Sequence, residues 1–215
     1  MRSVVLLGKG DLAVEVAEWF AAAKDWQLAH VVPVVPEPTW AASLAGWAER
    51  NAVQTVGSGH WADLPLEPGG RLADLAVSVF YDRILSADFL SCFDRALNIH
   101  NGPLPRYRGV SPINWALKNG ERTHGVTIHE ISPGIDDGPI VAQSTYSIYP
   151  EHDEVEDVYR RALAFGQTLF EQTMPMLDRI EAVPQDERQA TYYSARDNDR
   201  LGERRFFTRE LSEAR

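Results

Sequence analysis

Four short apolar runs rich in β-branched residues, "SVVLL" (3–7), "HVVPVV" (30–35), "LAVSVF" (75–80) and "ALNIH" (96–100), recur along the chain with helix-patterned stretches between them. Strands that alternate with helices join most simply as parallel neighbours linked by crossover helices. The alternation therefore predicts an α/β fold, a Rossmann-like, mostly parallel twisted sheet with flanking helices. In "GDLAVEVAEWFAAA" the apolar residues Leu12, Val16, Trp19, Phe20 and Ala23 form one helical stripe, with Asp11 placed to cap its start. "WAASLAGWAER" (40–50) predicts a second helix with Trp40, Leu44 and Trp47 on one face.

Beyond residue 120 the pattern changes. "HGVTIHEIS" (124–132) and "PIVAQSTYSIY" (139–149) alternate like two neighbouring strands around the turn "PGIDDG". A long helix follows, opened by Asp153 and Glu156 in capping-box positions and ending near Pro175. From Pro184 the chain is polar, with aromatic pairs Tyr192-Tyr193 and Phe206-Phe207, and too poor in aliphatics for a core of its own. A length of 215 residues suits one domain, predicted over 1–180, with 181–215 a tail that packs on it or on a homodimer partner.

The formal net charge of −10 argues against nucleic acid as a partner, because non-specific binding rests on Lys and Arg neutralising phosphates. No apolar run approaches membrane-span length, and "VVLL" after Met1-Arg2-Ser3 lacks a signal-peptide pattern. The single Cys92 excludes an internal disulfide framework and a multi-cysteine metal site. A cytoplasmic enzyme is the expectation.

"GKGDLA" (8–13) matches G-x-G-x-x-A between a strand and a helix, the context of a dinucleotide site and the basis of an alternative reading as an NAD(P)-binding oxidoreductase. Asp11 would put a carboxylate beside the pyrophosphate, and the acidic residue due at the end of the second strand is missing from "VVPVVPEP". A tight strand-to-helix turn is the simpler account.

Asn98 and His100 are two apart on a strand, so they project from one face at its carboxyl end, where open α/β sheets bind ligands. An amide that donates to a carbonyl oxygen and an imidazole that moves a proton suit acyl transfer. Asp136 and Asp137 follow in a Gly/Pro-bounded turn, and a carboxylate beside an imidazole favours its charged form. His124 and His129 are five apart on one strand, face opposite sides and cannot clamp a metal, so none is expected. His129 reads equally as a site residue or a satisfied strand histidine.

"NIH" (98–100), "LPRYRG" (104–109), "SPINWAL" (111–117), "GVTIHEI" (125–131) and "IDDGPIV" (135–141) together resemble the catalytic core of the N10-formyltetrahydrofolate-dependent formyltransferases. The resemblance covers about residues 1–180 and implies that Asn98, His100 and Asp136 are the catalytic set. By the same resemblance N10-formyltetrahydrofolate is the co-substrate, lying against "FYDRIL" (80–85) with Arg83, Ile84 and Leu85, and against the turn "SPGID" with Ser132, Gly134, Ile135 and Asp136. The formyl carbon would be attacked by a neutral amine, with Asn98 and a protonated His100 donating to the oxyanion.

The acceptor is less constrained. Ser111 before Pro112 suits an N-cap and first helical residue, whereas Arg106 and Arg108 are free to meet a phosphate or carboxylate, and Tyr107 and Trp115 to stack on a base. Arg108 reads equally as a surface arginine. The short tail leaves no room for the RNA-binding domain of methionyl-tRNA formyltransferases, and "GKGDLAVEV" lacks the purine enzyme's phosphate loop. The expected acceptor is a nucleotide-linked 4-amino-4,6-dideoxysugar. Glycinamide ribonucleotide, a secondary-metabolite amino acid or a hydroxylamine are the alternatives.

Overall fold

A computed structural model describes residues 1–65 and 70–202, so the expected pair Phe206-Phe207 and the end of the tail lie outside the described residues. Strand β1 (Arg2–Gly8) is an unbroken apolar run because both of its faces are covered. Val4 and Leu6 enter one core layer while Val5 and Leu7 enter the other. Helix α1 (Gly10–Ala22) crosses to β2 (Trp26–Pro33), and α2 (Leu44–Arg50) leads to the short β3 (Gln54–Thr55). Next come β4 (Leu75–Val79), α3 (Ala87–Leu90), β5 (Arg95–His100), β6 (Arg108–Gly109) and α4 (Pro112–Lys118). The chain continues through β7 (Thr123–Glu130), β8 (Ile140–Ser147), α5 (Val155–Thr173) and β9 (Tyr192–Tyr193).

Seven strands form one sheet in the order β3-β2-β1-β4-β5-β7-β8. Those from β3 to β5 are parallel, and β7 and β8 continue the sheet antiparallel. The order reverses between β1 and β4, the switch point where such sheets leave a crevice at their carboxyl ends. On one face α1 packs against α5 through Phe20 and Phe170, rings edge to face at 5.6 Å, with Trp19 and Trp26 around them. On the other, Phe89 and Phe93 lie under the wholly buried Leu7 and Ala76. Each large apolar side chain so buried contributes roughly 1.5–3 kcal/mol. Among the described residues no helix is long and apolar enough to cross a membrane.

Several local expectations change. The N-cap of α1 is Lys9, and Asp11 instead accepts the Ala42 N–H at 2.8 Å, pinning the loop before α2. That loop contains Trp40, which is 71% exposed and stands outside the helix, because Ser43 and Glu37 take the first free amides of α2 and start it later. β2 starts at Trp26 and stops at Pro33. The capping box of α5 is Glu154 with Asp157, while Asp153 is buried and ion-paired to Arg161 at 2.6 Å. Ser111 precedes α4 with a left-handed backbone (φ 55°) and makes no side-chain cap.

A second, two-stranded ladder ties the tail down: β9 pairs in parallel with β6, in the loop that follows β5. Gly109 has φ 90°, and a Cβ there would run into the Tyr193 carbonyl, so the ladder requires glycine at this position.

Candidate active site

Asn98 and His100 line a cavity of about 490 Å³. The His100 Nε2 is 2.8 Å from the Tyr107 carbonyl oxygen. A carbonyl only accepts, so Nε2 carries a proton, and Nδ1 is left 3.4 Å from Asp136 Oδ2. That distance suits charge interaction and is longer than a good hydrogen bond.

Asp136 gathers the rest of the site. Its Oδ2 accepts the Gly109 N–H at 2.8 Å, and its Oδ1 accepts from Asn98 Nδ2 at 3.3 Å and lies 3.4 Å from His129 Nε2. Burial works to raise this carboxyl, but the His100 charge, the His129 contact and the Gly109 amide outweigh it and hold it well below the usual carboxylate range. Asp136 also sits at φ 52°, a left-handed backbone that a non-glycine residue holds only when its surroundings over-determine it.

His129 belongs to the same group. It stands opposite Asn98 in the antiparallel β5–β7 pair, Nδ1 donating to the Glu130 carbonyl at 2.9 Å and Nε2 placed 3.1 Å from Asn98 Nδ2. His124, by contrast, is fully buried and bonded to the Asn101 carbonyl at 2.9 Å. Asp137 turns the other way: Ser132 Oγ donates to its carboxylate, which folds over Gly134 so closely that a side chain there would collide with it. One carboxylate of the pair therefore enters the site and its neighbour closes the turn.

Arg83, Ile84, Leu85, Ser132, Gly134 and Ile135 all line the cavity. Leu85 is buried, whereas Ile84 and Ile135 present apolar side chains to solvent at the rim, 72% and 42% exposed. Trp61 Nε1 donates to the Ile84 carbonyl at 3.0 Å and anchors that segment.

The expected acceptor contacts Arg106, Tyr107, Arg108 and Trp115 are not among the lining residues. Arg106 pairs with Glu121 at 3.3 Å, and the buried Tyr107 donates its hydroxyl to the same carboxylate at 2.7 Å. Burial, chiefly, pushes the Tyr107 phenol up to about 12. Trp115 is buried and stacks on Tyr193 at 4.2 Å, and Arg108 is buried against Gln185 and Glu187. For Tyr107, Arg108 and Trp115 the reason is shared: the tail folds over this loop and takes up groups that looked free, whereas Arg106 is taken up by Glu121. Lys9, Phe80 and Tyr192 line the cavity in their place. The ammonium of Lys9 has no partner among the described residues.

Residues 70–174 match the formyl transferase family. The methionyl-tRNA formyltransferase of Roseobacter denitrificans is 33% identical over 202 residues, covering 88% of this chain and 64% of that protein, so the chain spans less than two thirds of this relative's length. The N-formyltransferase from Helicobacter canadensis, solved with folinic acid and dTDP-3-aminofucose, superposes with a TM-score of 0.76 at 25% identity, covering 92% of this chain and 72% of that one. The glycinamide ribonucleotide transformylase 1 of Symbiobacterium toebii shares the fold, with a TM-score of 0.67 at 23% identity over 86% of this chain and 95% of that one.

Proposed function

Because residues 70–174 match the formyl transferase family, we propose that this chain moves a formyl group from N10-formyltetrahydrofolate to the amino group of a nucleotide-linked 4-amino-4,6-dideoxysugar. The observation that carries the reading is the convergence of Asn98, His100 and Asp136 on one cavity wall, with the Asp136 carboxylate within 3.4 Å of both partners. The cavity walls fit the folate. Exposed Ile84 and Ile135, with Leu85 behind them, offer apolar faces to a flat ring, and the 132–135 turn offers main-chain polar groups.

Bound there, N10-formyltetrahydrofolate would supply an activated formyl carbonyl. With Nε2–H committed to Tyr107, His100 exchanges its proton at Nδ1. Carrying that proton, Nδ1 would donate to the formyl oxygen as negative charge gathers on it; lacking it, Nδ1 would accept the proton that the amine gives up and pass it to N10 as the C–N10 bond breaks and tetrahydrofolate leaves. Asn98 Nδ2 is the second donor, held beside the His100 ring by the Asp136 carboxylate. Asp136 stays ionised at neutral pH and balances the imidazolium. On the acceptor side, Lys9, without a partner among the described residues, suits the diphosphate of a nucleotide sugar, the class of ligand bound by the Helicobacter canadensis protein.

The net charge of −10 weighs against tRNA as acceptor. The oxidoreductase alternative loses support because the Lys9 N–H, which a pyrophosphate would need, is spent on the Val79 carbonyl at 3.1 Å. A cytoplasmic location accords with the free, buried Cys92. The test is incubation of the protein and N10-formyltetrahydrofolate with a panel of nucleotide-linked amino sugars, read by mass spectrometry for the formylated product. Formylation of a different small amine alone would move the acceptor assignment; no tetrahydrofolate release with any amine would overturn the reading.

A further inference from the structure

We propose that Gln185, outside the cavity, is a positioning residue that fixes the Asp136 turn, so that the stretch 185–193 after the last long helix completes the catalytic site. The inference rests on the formyl-transfer reading for its kinetic arm only. The Gln185 amide donates through Nε2 to the Asp136 carbonyl at 2.8 Å and to the Gly138 carbonyl at 2.7 Å. Its Oε1 accepts from Arg108 Nε at 3.1 Å and Nη2 at 2.8 Å. Both donors and both acceptor sites of the amide are thereby used. Glu187 holds the other edge of the buried Arg108 guanidinium, at 3.0 and 2.7 Å, so the arginine cannot swing away from Gln185.

Only a primary amide of this length can donate to two carbonyls while accepting from a guanidinium. Glutamate has no proton to give, and an apolar side chain of the same size leaves two carbonyls and a guanidinium unpaired. The two carbonyls bracket Asp137, so the clamp grips the backbone on either side of the residue that follows the catalytic carboxylate. That grip matters because Asp136 occupies a left-handed conformation and its carboxylate must meet four groups at once: Asn98, His100, His129 and the Gly109 N–H. Gly109, the last of these, is held by the same tail through its pairing with Tyr193. Relaxing the turn would withdraw the carboxylate from His100 and His129 together.

The experiment replaces Gln185 by Ala and, isosterically, by Glu, and reads two quantities. The first is the pH midpoint of the Asp136 carboxyl by carbon-13 NMR, which needs no substrate. It should move up by half a unit or more in both variants, toward an ordinary aspartate. The second is steady-state kinetics: kcat should fall tenfold or more while KM for N10-formyltetrahydrofolate changes less than threefold. Should Gln185→Ala not fold, Gln185→Glu carries the same readouts. A lowered Tm with both quantities at their wild-type values would make Gln185 merely structural and overturn the proposal. If the wild-type protein formylates no amine, the transfer reading falls, and the carboxyl titration still decides the positioning role.

Discussion

Asn98 and His129 stand directly opposite one another across the β5–β7 ladder, with Asn98 Nδ2 3.1 Å from His129 Nε2, and the Asp136 carboxylate lies beside both. His129 thus helps to hold Asp136 ionised, its Nε2 lying 3.4 Å from the carboxylate Oδ1. His129→Ala should lower kcat by about tenfold to a hundredfold, since it loosens both donors without removing either. Its KM for the folate should stay near wild type. Unchanged kcat would leave His129 as a strand histidine only.

The two donors to the formyl oxygen, and the carboxylate that holds them, should cost more. His100→Ala and Asp136→Asn should each lower kcat by about 10²-fold or more with folate binding retained, because the interactions they remove strengthen only as charge develops. Asn98→Ala should cost about 10²-fold as the loss of one oxyanion donor. Equilibrium folate binding, followed by tryptophan fluorescence beside the kinetics, separates this outcome from a cavity that no longer binds.

Much of this site was legible because its parts obey short-range rules. The period of two along "LNIH" set Asn98 and His100 on one face, and the strand–helix alternation put that face at the carboxyl end of a parallel sheet. His129 stayed ambiguous because its role follows from the β5–β7 register, a long-range pairing that periodicity does not encode. Tyr107, Arg108 and Trp115 stand away from the cavity lining for a related reason. Nothing local to "RYRGVSPINWAL" announces that residues 185–193 fold over it, and a buried arginine and a surface one look alike until their partners are known. Gln185 carried no sequence signal at all.

Lys9 lines the cavity next to the N-terminus of α1 with no partner among the described residues. If it meets an acceptor diphosphate, Lys9→Ala should raise KM for the nucleotide sugar about tenfold, leaving kcat and the folate KM close to wild type. A rise in the folate KM instead would place Lys9 on the other side of the cavity from its proposed ligand.

His124 makes stability depend on mild acid. Burial brings this imidazole down to about 4, while in the unfolded chain it titrates near its ordinary 6.5. Above about pH 6.5 both states are neutral and the group has no effect. Between there and about pH 4 the unfolded chain takes up a proton that the folded one refuses, so stability falls as pH falls, by on the order of 3 kcal/mol in all. His124→Gln keeps a neutral donor for the Asn101 carbonyl and lacks this titration. The Tm gap between wild type and variant should therefore shift in the variant's favour from pH 7 to pH 4.5. Parallel Tm curves across that range would remove His124 as the cause.

The tail's attachment hangs on Tyr193. Its ring lies between Trp115 at 4.2 Å and Tyr107 at 5.8 Å, both stacked, and its hydroxyl accepts from Asn119 Nδ2 at 3.0 Å. Its carbonyl accepts the Val110 N–H at 2.9 Å, completing the short ladder with β6. Tyr193→Ala leaves that ladder in place but empties the slot between two aromatic rings, at a cost of about 3 kcal/mol. Residues 184–202 should then become the first site of limited proteolysis. Because Gly109 donates to Asp136 from the strand that Tyr193 covers, kcat should fall in step with the loosening while folate binding persists. Tyr193→Phe keeps the stacking and gives up only the bond from Asn119, so it should recover most of the protease resistance and the rate. If Tyr193→Ala cleaves no faster than wild type and keeps its kcat, the segment is held by the β6–β9 ladder and by Arg108 with Gln185 and Glu187, and the stacked rings are incidental to it.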